Sequence, residues 1–127
     1  MSFATRFAWL FAPLMTLLCA PAQAWDYDIG ESLICDTQAQ AERFAVVFSG
    51  DARAAIQIVN AEERNPSACA IVNVAFVRGA QIATVRHDDR AFEIARILVI
   101  GIETESGIRQ VRPAAYFSLF AIKEYAV

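Results

Sequence analysis

The stretch Ala91–Ile102, AFEIARILVIGI, is the longest strongly apolar run beyond the first two dozen residues, and its reading decides the fold. As a strand it places Phe92, Ile94, Leu98, Ile100 and Ile102 on one face and Ala95, Ile97 and Val99 on the other. The rival is a helix over Asp88–Val99 capped by Asp88 or Asp89, which the spacing of Phe92, Ala95 and Val99 permits. The branched cluster Ile97-Leu98-Val99-Ile100 favours the strand, because branched side chains fit a pleated surface. A strand that is apolar on both sides must be covered, and a helical hairpin upstream is the only cover the sequence offers.

That hairpin is marked by its caps. Thr37-Gln38-Ala39-Gln40 has the form of a capping box, in which hydroxyl and amide satisfy opposed backbone donors. Ala41, Phe44, Ala45 and Phe48 then recur at helical spacing, with Gln38, Glu42 and Arg43 on the other side. Ser49-Gly50-Asp51 ends this helix and caps the next, on which Ala52, Ala55, Ile56 and Val59 repeat the stripe. Pro66 disfavours helix at Asn65. The spacing predicts helices over Thr37–Phe48 and Asp51–Ala61.

After Cys69 the period changes to that of strands. Five runs follow: Ala70–Val77, Gln81–Arg86, Ala91–Glu103, Gly107–Arg112 and Tyr116–Tyr125. They are divided by Arg78-Gly79, by the polar turn His87-Asp88-Asp89-Arg90, by Thr104-Glu105-Ser106-Gly107 and by Pro113. Short connections imply sequential antiparallel pairing. The expected fold is therefore α+β, an N-terminal helical hairpin followed by a five-stranded antiparallel sheet or small SH3-like barrel. Ser32–Cys35, ahead of the helices, reads as a brief strand or an extended arm.

Residues 1–24 have the form of a secretory signal peptide: Arg6, an apolar run from Phe7 to Ala20, and the cleavage motif Ala22-Gln23-Ala24. The run is short for a hydrocarbon core that needs about 20 residues. Residues 25–127 are then one exported domain, in the periplasm or secreted, with no stable membrane span after cleavage. Cys35 and Cys69 remain in it. In an oxidising compartment such a pair is most simply a disulfide. Closing a loop across 34 positions adds about 3–4 kcal/mol in the chain-entropy model. The formal net charge is −3, and loss of Arg6 makes it more negative. Neither nucleic acid nor an anionic membrane is an expected partner, since both select a basic face.

Chemistry-bearing signals are sparse. The single histidine, His87, adjoins Asp88 and Asp89, but neighbouring turn residues rarely converge on one reacting atom. The sequence contains no nucleophile elbow, CxxC, HExxH or phosphate-binding glycine loop, and no cofactor is expected. Arg96 stands out because it interrupts the apolar run. A buried arginine must be paired. Either its stem packs while the guanidinium reaches the edge or a carboxylate, or it recognises an anion together with Arg109 and Arg112 on a neighbouring strand. Trp25 and Tyr27, near the exposed N-terminus, are the aromatic candidates for a binding surface.

The segments CDTQAQAERF (35–44), VNAEERNPSAC (59–69) and AFVRG (75–79) are similar to small exported alphaproteobacterial proteins of the rhizobial type. The resemblance covers most of the chain after the leader. It implies periplasmic export and paired cysteines, and it carries over no functional residue. The expected function is a non-enzymatic binding or interaction module whose partner is an envelope protein or a small anionic ligand. The alternative is a small envelope hydrolase or lyase using His87 and nearby carboxylates.

Overall fold

The computed structural model describes residues 26–122. The leader with its cleavage motif, Trp25 and Tyr125 lie outside the described residues. The elements run β1 (Asp28–Cys35), α1 (Gln38–Val47), α2 (Ala52–Glu63), β2 (Cys69–His87), β3 (Arg90–Thr104) and β4 (Gly107–Ala121). The fold is α+β, with four antiparallel strands in sequence order that close into a barrel where Cys35 of β1 pairs with Phe117 of β4.

The helices begin where their caps dictate. Thr37 Oγ1 accepts from the Gln40 N–H at 3.2 Å while Gln40 Oε1 accepts from the Thr37 N–H at 3.1 Å. The Asp51 carboxylate accepts from the Ala54 N–H, which opens α2. Ala41, Phe44, Ala45, Ala55 and Val59 are buried, the same stripes that the spacing picks out. Arg43, midway along α1, reaches Glu62 near the end of α2 at 2.8 Å and ties the two helices together. The second helix runs two residues past the expected end. It stops at Arg64 in the left-handed region (φ 53), with the Asn65 N–H donating to the Asn60 carbonyl and the Arg64 N–H to that of Ala61. This Schellman arrangement, not Pro66, terminates α2.

Two expectations need correction. The hairpin does not open the domain: β1 precedes it and pairs with β2 along its whole length, Asp28↔Phe76 to Cys35↔Cys69. Two apparent breaks lie inside strands, so the five expected runs are three strands, and β1 makes the fourth. At Arg78–Gln81 the register of β2 against β3 shifts, and β2 continues through a bulge. Gly79 makes this possible: a Cβ there would lie 2.6 Å from the Arg96 carbonyl oxygen. Pro113 likewise sits within β4. Pro113 lies in the irregular stretch between Gln110 and Ala114, where β4 has no register partner on β3, so its missing N–H breaks no ladder bond.

The run Ala91–Ile102 is strand throughout, within β3. It is buried on both faces, but by different covers. Ile94 packs with Cys35, Phe44, Val59 and Cys69 beneath the helices. Ile97 and Val99 pack with Val74 and Phe76, flanked by Ile34, Tyr116 and Phe120, a cluster to which no helix contributes. The curl of the long strands covers that second face, so the hairpin is not the only cover.

The disulfide Cys35–Cys69 lies in the helix-covered core, with its Cα atoms 4.1 Å apart across β1 and β2. Such a short spacing marks a non-hydrogen-bonded pair, whose backbone groups point away from one another. The Cys69 N–H accordingly donates to Asn60 Oδ1 at 2.8 Å, and Asn60 Nδ2 donates to the Cys69 and Pro66 carbonyls at 3.0 and 2.9 Å. Asn60 acts as a one-residue strand on the unpaired side of Cys69. Asn60→Leu keeps the volume but strands these groups, and is expected to cost about 1–3 kcal/mol in urea unfolding; an unchanged midpoint would show that water replaces the amide freely.

Candidate functional site

Because side chains alternate along a strand and antiparallel partners share a face, the faces can be followed from the cores. The helix-covered face carries Leu33 and Cys35 on β1 and continues toward the start of that strand through Glu31 and Ile29. Their partners are Ile71, Asn73 and Ala75 on β2, and Ala75 in turn pairs with Gly101. The helices cover only the Cys35 end. Beyond it Ile29, Ile71 and Ile108 are 49%, 37% and 44% exposed, around a floor of buried Ala75 and Gly101. A Cβ on Gly101 would lie 2.6 Å from Ile108 Cγ2, so glycine is what lets Ile108 lie down over the sheet. Tyr27, 50% exposed, adjoins this bare face two residues before Ile29.

Two grooves border the bare face. One, of about 480 Å³, lies between α2 and the sheet, with Arg53 and Ile56 on the helix wall and Glu31, Ile71 and Asn73 on the sheet. The other, of about 340 Å³, is lined by Leu98, Ile100, Gln110, Val111 and Pro113. Together they frame a mixed surface on which the isoleucines lie among Glu31, Asn73, Glu103 and Gln110, with Arg53 on the helix wall, a chemistry that suits recognition of another polypeptide.

The outer edge of β1 belongs to the same region. Cys35 turns its backbone groups toward Phe117, since Cys69 cannot receive them. By alternation Leu33, Glu31 and Ile29 also turn N–H and C=O outward. Among the described residues, β1 meets β4 only at Cys35↔Phe117, so these outward groups have no strand partner. The outer edge of β4 differs, because Pro113 lacks a donor and Arg109 and Arg112 are exposed beside it.

The residues that stand out in the sequence are dispersed. Arg96 is exposed instead of buried, and its guanidinium lies 5.5 Å over the Phe117 ring, a cation–π contact in place of the expected need for pairing. Arg109 pairs with Ile102, whose β2 partner Val74 belongs to the opposite face, and it stands roughly 20 Å along the sheet from Arg96. Arg112 lies in the irregular stretch between Gln110 and Ala114. The three arginines do not form one anion site. His87, Asp88 and Asp89 occupy the β2–β3 hairpin tip. Both aspartates are at positive φ (47 and 61), and Asp88 Oδ2 lies 3.2 Å from His87 Nε2. The Asp88 side chain is 85% exposed, which leaves the pair in solvent. Among the described residues no group of three or more His, Cys, Asp or Glu side chains converges as a metal site, and no helix is long and apolar enough to cross a membrane.

The bare face escaped sequence reading. Ile29-x-Glu31-x-Leu33 does alternate, but only the position of the helices reveals which part of that row they leave uncovered. Comparison with protein-family models, with curated proteins and with solved structures returned no match.

Proposed function

We propose that this chain is a non-enzymatic binding or interaction module of the bacterial envelope, exported by its N-terminal leader and related to the small alphaproteobacterial proteins it resembles. Its partner is an envelope protein. The reading is carried by one observation: Ile29, Ile71 and Ile108 are exposed together on the part of the sheet that the helical hairpin leaves bare. Singly scattered exposed apolar residues are ordinary, whereas here three isoleucines share one bare face with Glu31, Asn73, Glu103 and Gln110, the mixed composition that protein interfaces use. Ile58, exposed on α2 with no such company, is the internal control.

A photo-crosslinking side chain placed at Ile71 or Ile108 in the exported protein is expected to give a discrete protein adduct, and one at Ile58 none. Equal adducts from both sets, or none from either, would remove the reading.

A further inference from the structure

We infer that the outer edge of β1 accepts an extended segment of a partner protein as an added strand, with a basic side chain opposite Glu31. The inference rests on the binding-module reading and specifies its partner. Ile29, Glu31 and Leu33 each turn an N–H and a C=O toward the side of β1 where, among the described residues, only Cys35 has a strand partner, and this is the hydrogen-bonding template that strand addition uses. Ile29 and Glu31 are exposed on the bare face and Leu33 is half-buried against the helix-covered core, so an incoming strand is read by the row isoleucine, glutamate, leucine. The matching pattern is apolar–x–basic–x–apolar, since directly opposed side chains on neighbouring strands interact most strongly and opposite charges stabilise the pair.

The two free edges of the sheet are not equivalent. The β4 edge is blunted by Pro113 and by the exposed Arg109 and Arg112, the devices that keep edges from pairing. From Asp28 to Cys35 there is no proline, lysine or arginine, and the charged residues are Asp28 and Glu31. The same charge pattern disfavours a second copy of this chain. Two β1 edges paired about a two-fold axis at Glu31 would set two carboxylates face to face. Arg53, on the α2 wall of the adjoining groove, sets the inner boundary. A partner's basic residue therefore belongs in the strand row beside Glu31, not deeper under the helix.

The test uses the folded protein from Trp25 onward and two synthetic peptides, acetyl-Thr-Val-Thr-Lys-Thr-Val-Thr-amide and its twin with glutamate in place of lysine. Amide exchange at Ile29, Glu31 and Leu33 is expected to slow on adding the lysine peptide, with exchange at Gln110 and Ala115 on the β4 edge unchanged. The glutamate twin is expected to bind at least about fivefold more weakly, and Glu31→Lys to reverse that preference. Equal binding of the two peptides, or slowing at Gln110 and Ala115 instead, would overturn the inference. So would a peptide-free dimer with the β1 amides already protected, which would assign the edge to a second copy. If crosslinks form at Ile71 while the β1 amides stay unprotected by either peptide, strand addition fails and the bare-face reading survives.

Discussion

Replacing Cys35 and Cys69 together by alanine is expected to lower the free energy of unfolding by about 3–4 kcal/mol, a large share of the 5–15 kcal/mol typical of a domain. The bridged positions are 34 apart and enclose both helices, so the cross-link removes much of the freedom of the unfolded chain. Substitution is a cleaner probe than reductant, because the two cysteines are 0% and 1% exposed. Cys35 also pairs through its backbone with Phe117 of β4, so the substitution falls where the barrel closes. Equilibrium urea unfolding measures the effect. Its midpoint should fall, and its slope should rise as the uncrosslinked chain unfolds further. An unchanged midpoint would mean that Asn60 and the strand ladder hold the junction without the covalent bond.

Ile94→Ala and Ile97→Ala form the second large prediction, each expected to cost about 3 kcal/mol from lost burial and the cavity left behind. Both side chains are fully buried, three residues apart on one strand, yet they belong to different cores. Ile94 lies beneath the helices and Ile97 lies where the sheet curls on itself. Similar losses in urea unfolding would confirm that both faces of β3 are closed. A cost below about 1 kcal/mol at Ile97, against a full loss at Ile94, would mean that the curled face is open to solvent.

Much of this architecture was legible residue by residue. Thr37 and Asp51 announce the helix starts because a short polar side chain answers backbone donors only a few residues away. The branched cluster in Ala91–Ile102 announces a strand for a similarly local reason. The breaks at Gly79 and Pro113 misled because each residue has two uses, ending a strand or passing through it. The choice depends on whether a neighbouring backbone approaches closely, as at Gly79, or the ladder has no partner at that position, as at Pro113. Arg96, which interrupts the apolar run, is exposed two residues from the buried Ile94 with its guanidinium over Phe117, an outcome close to the reading in which the guanidinium reaches the edge.

The sequence by itself determined the two capped helices, the strand at Ala91–Ile102 and the pair of cysteines available for one bridge, since these follow from neighbours within a few positions or from a count. Only the tertiary structure decided that four strands close at Cys35↔Phe117, that the arginines are dispersed, and that Ile29, Glu31, Ile71 and Ile108 share a bare face beside an unpaired edge. Those facts depend on register and on where the hairpin lies, which are set by contacts between residues far apart in the chain.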